Sequence, residues 1–201
     1  MTSIEKMINT AFEELLQIDC IGQPIQFGSK LVFPTRREGK DARVSEQEIR
    51  FLFVKQLEKQ NHFVYAVEVP TAKKYRFTGV GAPKIDETDG QSGNVDVCLY
   101  DKSNISHLVS LIEFKALNPK QDSYSKDFLK LMCDEEGLTS YFVQVIHNSD
   151  GKTVPNIEEK YRIAARCVKE PISRLKIFLY DIGKKTIRIY EVANWNIQQI
   201  I

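Results

Sequence analysis

The segment Leu108-Val-Ser-Leu-Ile-Glu-Phe-Lys-Ala116 constrains this chain more than any other. It reads as a strand, and the apolar residues flanking its charges place it inside a sheet. Period-2 alternation sets Glu113 and Lys115 on one face and Ile112 and Phe114 on the other. A carboxylate and an ammonium side by side in a sheet need partners or a metal ion, because unpaired buried charge is strongly unfavourable. Upstream, Asn94 to Tyr100 alternates Val95, Val97 and Leu99 against Asn94, Asp96 and Cys98. The valines are expected to face one way and Asp96 the other. If the two strands are neighbours, Asp96 and Glu113 converge at one edge of the sheet.

Around these strands the pattern alternates between helix and strand. Thr2-Ser3-Ile4-Glu5 opens a capping box before Ile4, Met7, Ile8, Ala11, Phe12, Leu15 and Leu16. That spacing predicts an N-terminal helix over 1–20, with an apolar face broad enough for a partner protein or a second copy. Ser45-Glu46-Gln47-Glu48 is a second capping box and starts a helix to about Gln60. Phe63 to Val69 reads as a strand closed by Pro70, and 71–92 as a long mobile loop with at most a short strand extension. A helix over 121–136 stopped by Gly137, a buried strand over Tyr141 to Ile146, another amphipathic helix and a hairpin around Gly183-Lys184 follow. The order is α, then α-β-β-β-α-β over 44–147, then α-β-β over 156–194. This predicts one α/β domain over 1–201, with a mixed central sheet flanked by helices.

Composition removes several functional classes. The chain has 201 residues, 42% of them hydrophobic and 10% aromatic, which excludes a disordered chain. Its 28 basic and 27 acidic residues leave a net charge of +1, so bulk charge gives no reason to expect nucleic acid. Local basic segments exist at 30–43 (Lys30, Arg36, Arg37, Lys40, Arg43) and 73–76 (Lys73, Lys74, Arg76), readable as phosphate contacts or as solvated chain. No stretch approaches the ~20 apolar residues of a membrane span, and no secretory signal is visible. Cys20, Cys98, Cys133 and Cys167 lack a C-x-x-C and, with His62, His107 and His147 scattered, suit reduced thiols of a cytoplasmic protein rather than a zinc site. The glycines at 79 and 81 lack the Gly-Lys-Ser/Thr ending of a phosphate-binding loop. Trp195 reads as core or interface rather than a base-stacking platform.

Two neighbouring carboxylates repel, and a hard divalent cation relieves that repulsion with oxygen ligands. Such an ion lowers the pKa of a bound water and stabilises charge on an attacked phosphodiester. Lys115 is placed to orient or help deprotonate that water, a role open to an amine whose pKa burial can lower.

Asp96, sixteen residues, then Glu113-Phe114-Lys115, in two strands with a helix after them, resembles the PD-(D/E)xK nuclease superfamily, the restriction-endonuclease-like fold. The contexts Ser92-Gly-Asn-Val-Asp-Val97 and Leu111-Ile-Glu-Phe-Lys-Ala116 are similar to those of many members, and the resemblance covers about half of the chain. It implies a metal held by Asp96, Glu113 and the Phe114 carbonyl, with Lys115 as the catalytic lysine. Mg²⁺ is the implied cofactor, Mn²⁺ a substitute, and DNA the implied substrate. Many members add a glutamate from the first core helix, for which Glu48 is the best match and Glu46 the second. Two departures stand out. No proline precedes Asp96, and Gln121-Asp-Ser-Tyr124 is one residue shorter than the Q-x-x-x-Y of RecB-like members, although Gln121 and Lys126 remain candidates for the site or the phosphates. The alternative is a catalytically inactive nucleic-acid-binding or assembly module, with Glu113 and Lys115 in an ion pair on a solvated face.

Overall fold

In a computed structural model, which describes residues 1–35, 43–77, 83–147, 149–193 and 195–201, both capping boxes form. Thr2 caps α1 (Ser3–Leu15) and Ser45 caps α2 (Glu46–Leu57), with Glu5 and Glu48 bonding back to the respective caps. Each such cap stabilises its helix by about 1 kcal/mol. The chain continues through β1 (Asp19–Cys20), β2 (Val32–Phe33), β3 (Phe63–Arg76), β4 (Lys84–Ile85), β5 (Gln91–Asp101) and β6 (Asn104–Ala116). It then runs through α3 (Gln121–Cys133), β7 (Thr139–Ile146), α4 (Thr153–Cys167), β8 (Arg174–Asp181), β9 (Thr186–Ala193) and β10 (Asn196–Gln199). β1 and β2 make a small parallel pair, and the other strands form one eight-stranded sheet in the order β10-β9-β8-β7-β6-β5-β3-β4. Strands β6, β7 and β8 are parallel, joined by α3 and α4, and the remaining neighbours are antiparallel.

The architecture is mixed α/β, with the four described helices on the two faces of a mixed sheet. On one face, Phe12 of α1 stacks on Tyr180 of β8 at 4.0 Å and Phe53 of α2 packs against Phe114 of β6 at 5.6 Å. On the other, Tyr124 and Phe128 of α3 pack with Phe142 of β7 and Tyr161 of α4. These aromatic contacts fix both helical layers against β6 and β7. The apolar face of α1, expected to be free for a partner, is instead enclosed. Ile4, Met7, Ile8, Ala11, Phe12 and Leu15 are buried in the core with Leu99, Ile112, Tyr141 and Phe178. The sheet has an apolar face there, and α1 covers it.

Three further expectations are revised. Pro70 does not end a strand. β3 continues to Arg76 and pairs with β5 again at Lys74↔Ser92 and Tyr75↔Gln91, after a register shift. β4 pairs only with Tyr75 and Arg76, so among the described residues Pro70 has an open flank on one side, where a missing N–H is tolerated. The expected loop therefore shrinks, and its Gly79 and Gly81 lie outside the described residues, as do Arg36, Arg37 and Lys40. Second, Val95 and Val97 do not share a face: Val95 is buried in the α3–α4 core and Val97 in the α1–α2 core. Asp96 thus sits where the pleat slips, opposite Glu68, whose φ is 51°. Third, β10 adds an edge strand that Asn196-Ile-Gln-Gln199 does not announce. Trp195, just before it, is half-exposed and donates its indole N–H to the Val168 carbonyl at 2.7 Å.

The four cysteines are unpaired. No described helix is long and apolar enough to cross a membrane.

Candidate active site

The antiparallel pairing of β5 with β6 brings the three strand-borne candidates together. The Asp96 Oδ2 accepts the Phe114 amide N–H at 2.7 Å, tying the β5 acid to the residue between Glu113 and Lys115. Ile112 and Phe114 are buried in the α1–α2 core. Glu113 and Lys115 point to the other face, as the alternation requires, where α3 meets them. They are not on a solvated face: the side chains of Glu113 and Lys115 are 4% and 17% exposed.

Two residues of α3 complete an ionic ladder. The Lys130 ammonium pairs with Glu113 Oε1, donates to the Asn94 carbonyl at 2.7 Å and lies 3.2 Å from Asp127 Oδ1. Lys115 Nζ lies 2.8 Å from the second Asp127 oxygen. That contact is an ion pair without hydrogen-bond alignment, and Asp127 Oδ2 is buried with no directed donor. The alternation Glu113, Lys130, Asp127, Lys115 neutralises four charges that would be untenable singly at this depth.

Burial acts on every member. It pushes the Glu113 carboxyl up, Asp127 adding to the rise and Lys130 opposing it. It pulls the amines of Lys130 and Lys115 down, but the neighbouring carboxylates outweigh it and hold both above the ordinary lysine range. Burial was expected to lower the Lys115 amine. Asp127, invisible to that expectation, reverses the direction.

The two carboxylates of α2 that the sequence offers, Glu48 and Glu46, have different surroundings. Glu48 accepts the backbone N–H and the hydroxyl of Ser45 at 2.9 and 2.7 Å, and so closes the cap of α2. Glu46, one residue into that helix, feels Lys115, Asp96 and Asp127. Burial, reinforced by Asp96 and Asp127, raises its carboxyl above the ordinary range. Arg50, one turn on, reaches Asp96 Oδ1 at 3.5 Å and also pairs with Glu68. A cavity of about 420 Å³, lined by Val44, Ser45, Glu46, Ala116 and Leu117 among others, opens beside this end of β6. A larger one, about 740 Å³, lies at the opposite end of the parallel strands, against Thr139 and Arg174.

The remaining candidates lie elsewhere. Gln121 donates to the Lys160 carbonyl of α4 at 3.0 Å, and the Lys126 ammonium stands 5.5 Å from the Phe77 ring centre. Arg76 is paired with Asp86 and Asp89, which removes one cation from the basic 73–76 segment.

The sequence reading missed Asp127, Lys130 and Arg50. The first two were legible as an i, i+3 acid–base pair on the otherwise apolar inner stripe of α3, beside Tyr124, Phe128 and Leu131.

The donor set fits a hard divalent cation in chemistry. Asp96, Glu113, Glu46 and the Phe114 carbonyl offer oxygen only, and two of those carboxyls are raised by burial and like charge that a cation would relieve. The arrangement is not pre-gathered: among the described residues no three His, Cys, Asp or Glu side chains form a ready metal cluster. The Lys130 ammonium stands on Glu113 and Asp127 instead. No family model, curated protein or solved structure matches the chain.

Proposed function

We propose that the chain is a metal-dependent nuclease with a restriction-endonuclease-like core, hydrolysing DNA phosphodiesters. The observation that carries this reading is the tie between Asp96 and the Phe114 amide, which puts an acid beside a Glu-x-Lys strand. The order α2-β3-β5-β6-α3-β7, with β3, β5 and β6 antiparallel and β7 parallel to β6, supports the fold part of the proposal. The unpaired cysteines suit a reducing, cytoplasmic setting.

Asp96 and Glu113, with the Phe114 carbonyl, would hold Mg²⁺ or Mn²⁺, and Glu46 rather than Glu48 is the carboxylate that α2 can add. The ion, when bound, would lower the pKa of a coordinated water and supply a counter-charge for the phosphodiester. Lys115, held protonated by Asp127, serves as a donor to the phosphate oxygen that gains charge, not as the base. The 420 Å³ cavity is lined by Glu46 and by Ala116, the residue after Lys115, which supports an approach from this end of β6. Digestion of duplex, nicked, branched and single-stranded DNA in Mg²⁺ or Mn²⁺ tests this, with Lys115→Met as the blank.

A second reading, a catalytically inactive nucleic-acid-binding module, is favoured by one observation: Glu113 already has an intramolecular cation in Lys130. It predicts salt-sensitive DNA affinity that EDTA leaves unchanged, and no product.

A further inference from the structure

Lys130 is more than a neighbour of the site. Its ammonium has three oxygen partners, Glu113 Oε1, Asp127 Oδ1 and the Asn94 carbonyl, in a position where its side chain is 9% exposed. The strand opposite is shaped to admit it. Gly93 has no positive φ that would call for glycine, yet a Cβ there would stand 2.9 Å from Lys130 Cδ and 3.1 Å from the Phe77 ring. A glycine inside a strand weakens it, and at 93 the return is space for the Lys130 methylenes. The lysine is thus a built component, lodged as a cation on one of the two proposed metal ligands.

We infer that Lys130 is the resident cation of this site, and that a divalent ion binds Asp96 and Glu113 by exchanging with it. This rests on the nuclease reading above and adds its control. An ammonium and a divalent ion on one buried carboxylate repel each other, so both do not stay. Asp127 tolerates the exchange, because Lys115 remains 2.8 Å from its other oxygen. Asn94 gives up only a carbonyl contact. The exchange also accounts for a set of oxygen donors that is chemically apt for a metal without being gathered as one.

Mn²⁺ binding to the full chain, read as loss of the free-ion signal in electron paramagnetic resonance, tests this without an activity assay. Lys130→Met is expected to bind Mn²⁺ at least about tenfold more tightly than the wild type, since one competing charge at contact distance is gone. Equal or weaker binding by the folded variant overturns the exchange. A second measurement uses the native protein: Lys130 should resist reductive methylation in EDTA and become methylated in saturating Mn²⁺, read by peptide mass spectrometry. Persistent protection while Mn²⁺ is bound overturns the exchange and leaves the metal reading standing. Absence of Mn²⁺ binding by both wild type and Lys130→Met overturns both. Binding that survives Asp96→Asn and Glu113→Gln overturns the metal assignment itself.

Discussion

The Asp96 carboxylate accepts the Phe114 amide at 2.7 Å, so one acid both anchors β5 to β6 and stands beside Glu113 and Lys115. The two roles separate by substitution. Asp96→Asn keeps an oxygen acceptor for Phe114 but loses the charge; Asp96→Ala loses both. Asparagine should therefore leave urea stability near that of the wild type, and alanine should cost about 1–3 kcal/mol for a buried N–H left without its partner. Both should abolish the stabilisation by Mn²⁺ in a thermal melt, because a ligand that binds only the folded state raises its apparent stability.

Asp127 stands between two ammonium groups. Asp127→Leu leaves Lys115 and Lys130 short of a counter-charge, and breaking a buried pair in this way costs about 3–5 kcal/mol. Adding Lys115→Met to Asp127→Leu should recover part of that loss, as the orphaned ammonium goes too. Urea denaturation of the two single variants and the double variant measures the coupling. Additive losses would show that the 2.8 Å contact carries no energy.

Glu46 gives a pH dependence of definite sign. Burial and the charges of Asp96 and Asp127 raise its folded-state carboxyl above the ordinary value of 4.5. The fold thus prefers the protonated group. This contribution to stability is fully present below that ordinary value and is lost as pH rises through the raised one. In EDTA, Glu46→Gln should be more stable than the wild type at pH 7, with the difference closing below about pH 4.5. A Glu46→Gln protein no more stable at pH 7 than at pH 4, relative to wild type, contradicts this placement.

Beneath Lys115 in the parallel register lies Gln144, fully buried on β7. Its amide donates to the Leu117 carbonyl and to the Tyr124 hydroxyl at 2.8 Å, and its carbonyl accepts the Tyr161 hydroxyl at 2.5 Å. Gln144→Met strands these buried groups, at about 1–3 kcal/mol for each left unsatisfied. Tyr161→Phe removes one bond only and should cost less. Thermal melts of the two variants give the order.

Much of this was legible in the residues. Capping boxes at Thr2 and Ser45, apolar periodicity in the helices and alternation in Ile112-Glu113-Phe114-Lys115 are local signals, and local physics decides those elements. What was not legible depended on partners distant in sequence. Pro70 reads as a strand end unless the open flank of β3 is known. Val95 and Val97 read as one face unless the pleat slip at Asp96 is seen. The capping-box spacing assigns Glu48 to the Ser45 cap, but that Glu46 is the one near Lys115 and Asp96 depends on how α2 sits against β5 and β6. Lys130 lies 17 residues from Glu113 on a different element, and its i, i+3 spacing from Asp127 marks a charged pair on α3 without pointing to Glu113 as the partner. Gly93 was the nearest hint, a glycine in a strand that turns out to need none for its backbone.

The central claim is hydrolysis of a phosphodiester at Asp96, Glu113 and Lys115, and the most direct measurement is the rate of DNA cleavage by these variants in Mg²⁺ or Mn²⁺. Purified wild type should cleave at least one of duplex, nicked, branched or single-stranded DNA, with activity absent in EDTA. Lys115→Met should fall by about 10²–10³-fold, the loss typical of removing a preorganised donor to developing charge. Asp96→Asn and Glu113→Gln should fall at least as far. Cleavage by all three variants at the wild-type rate, or none by wild type on any of the four substrates, contradicts the claim.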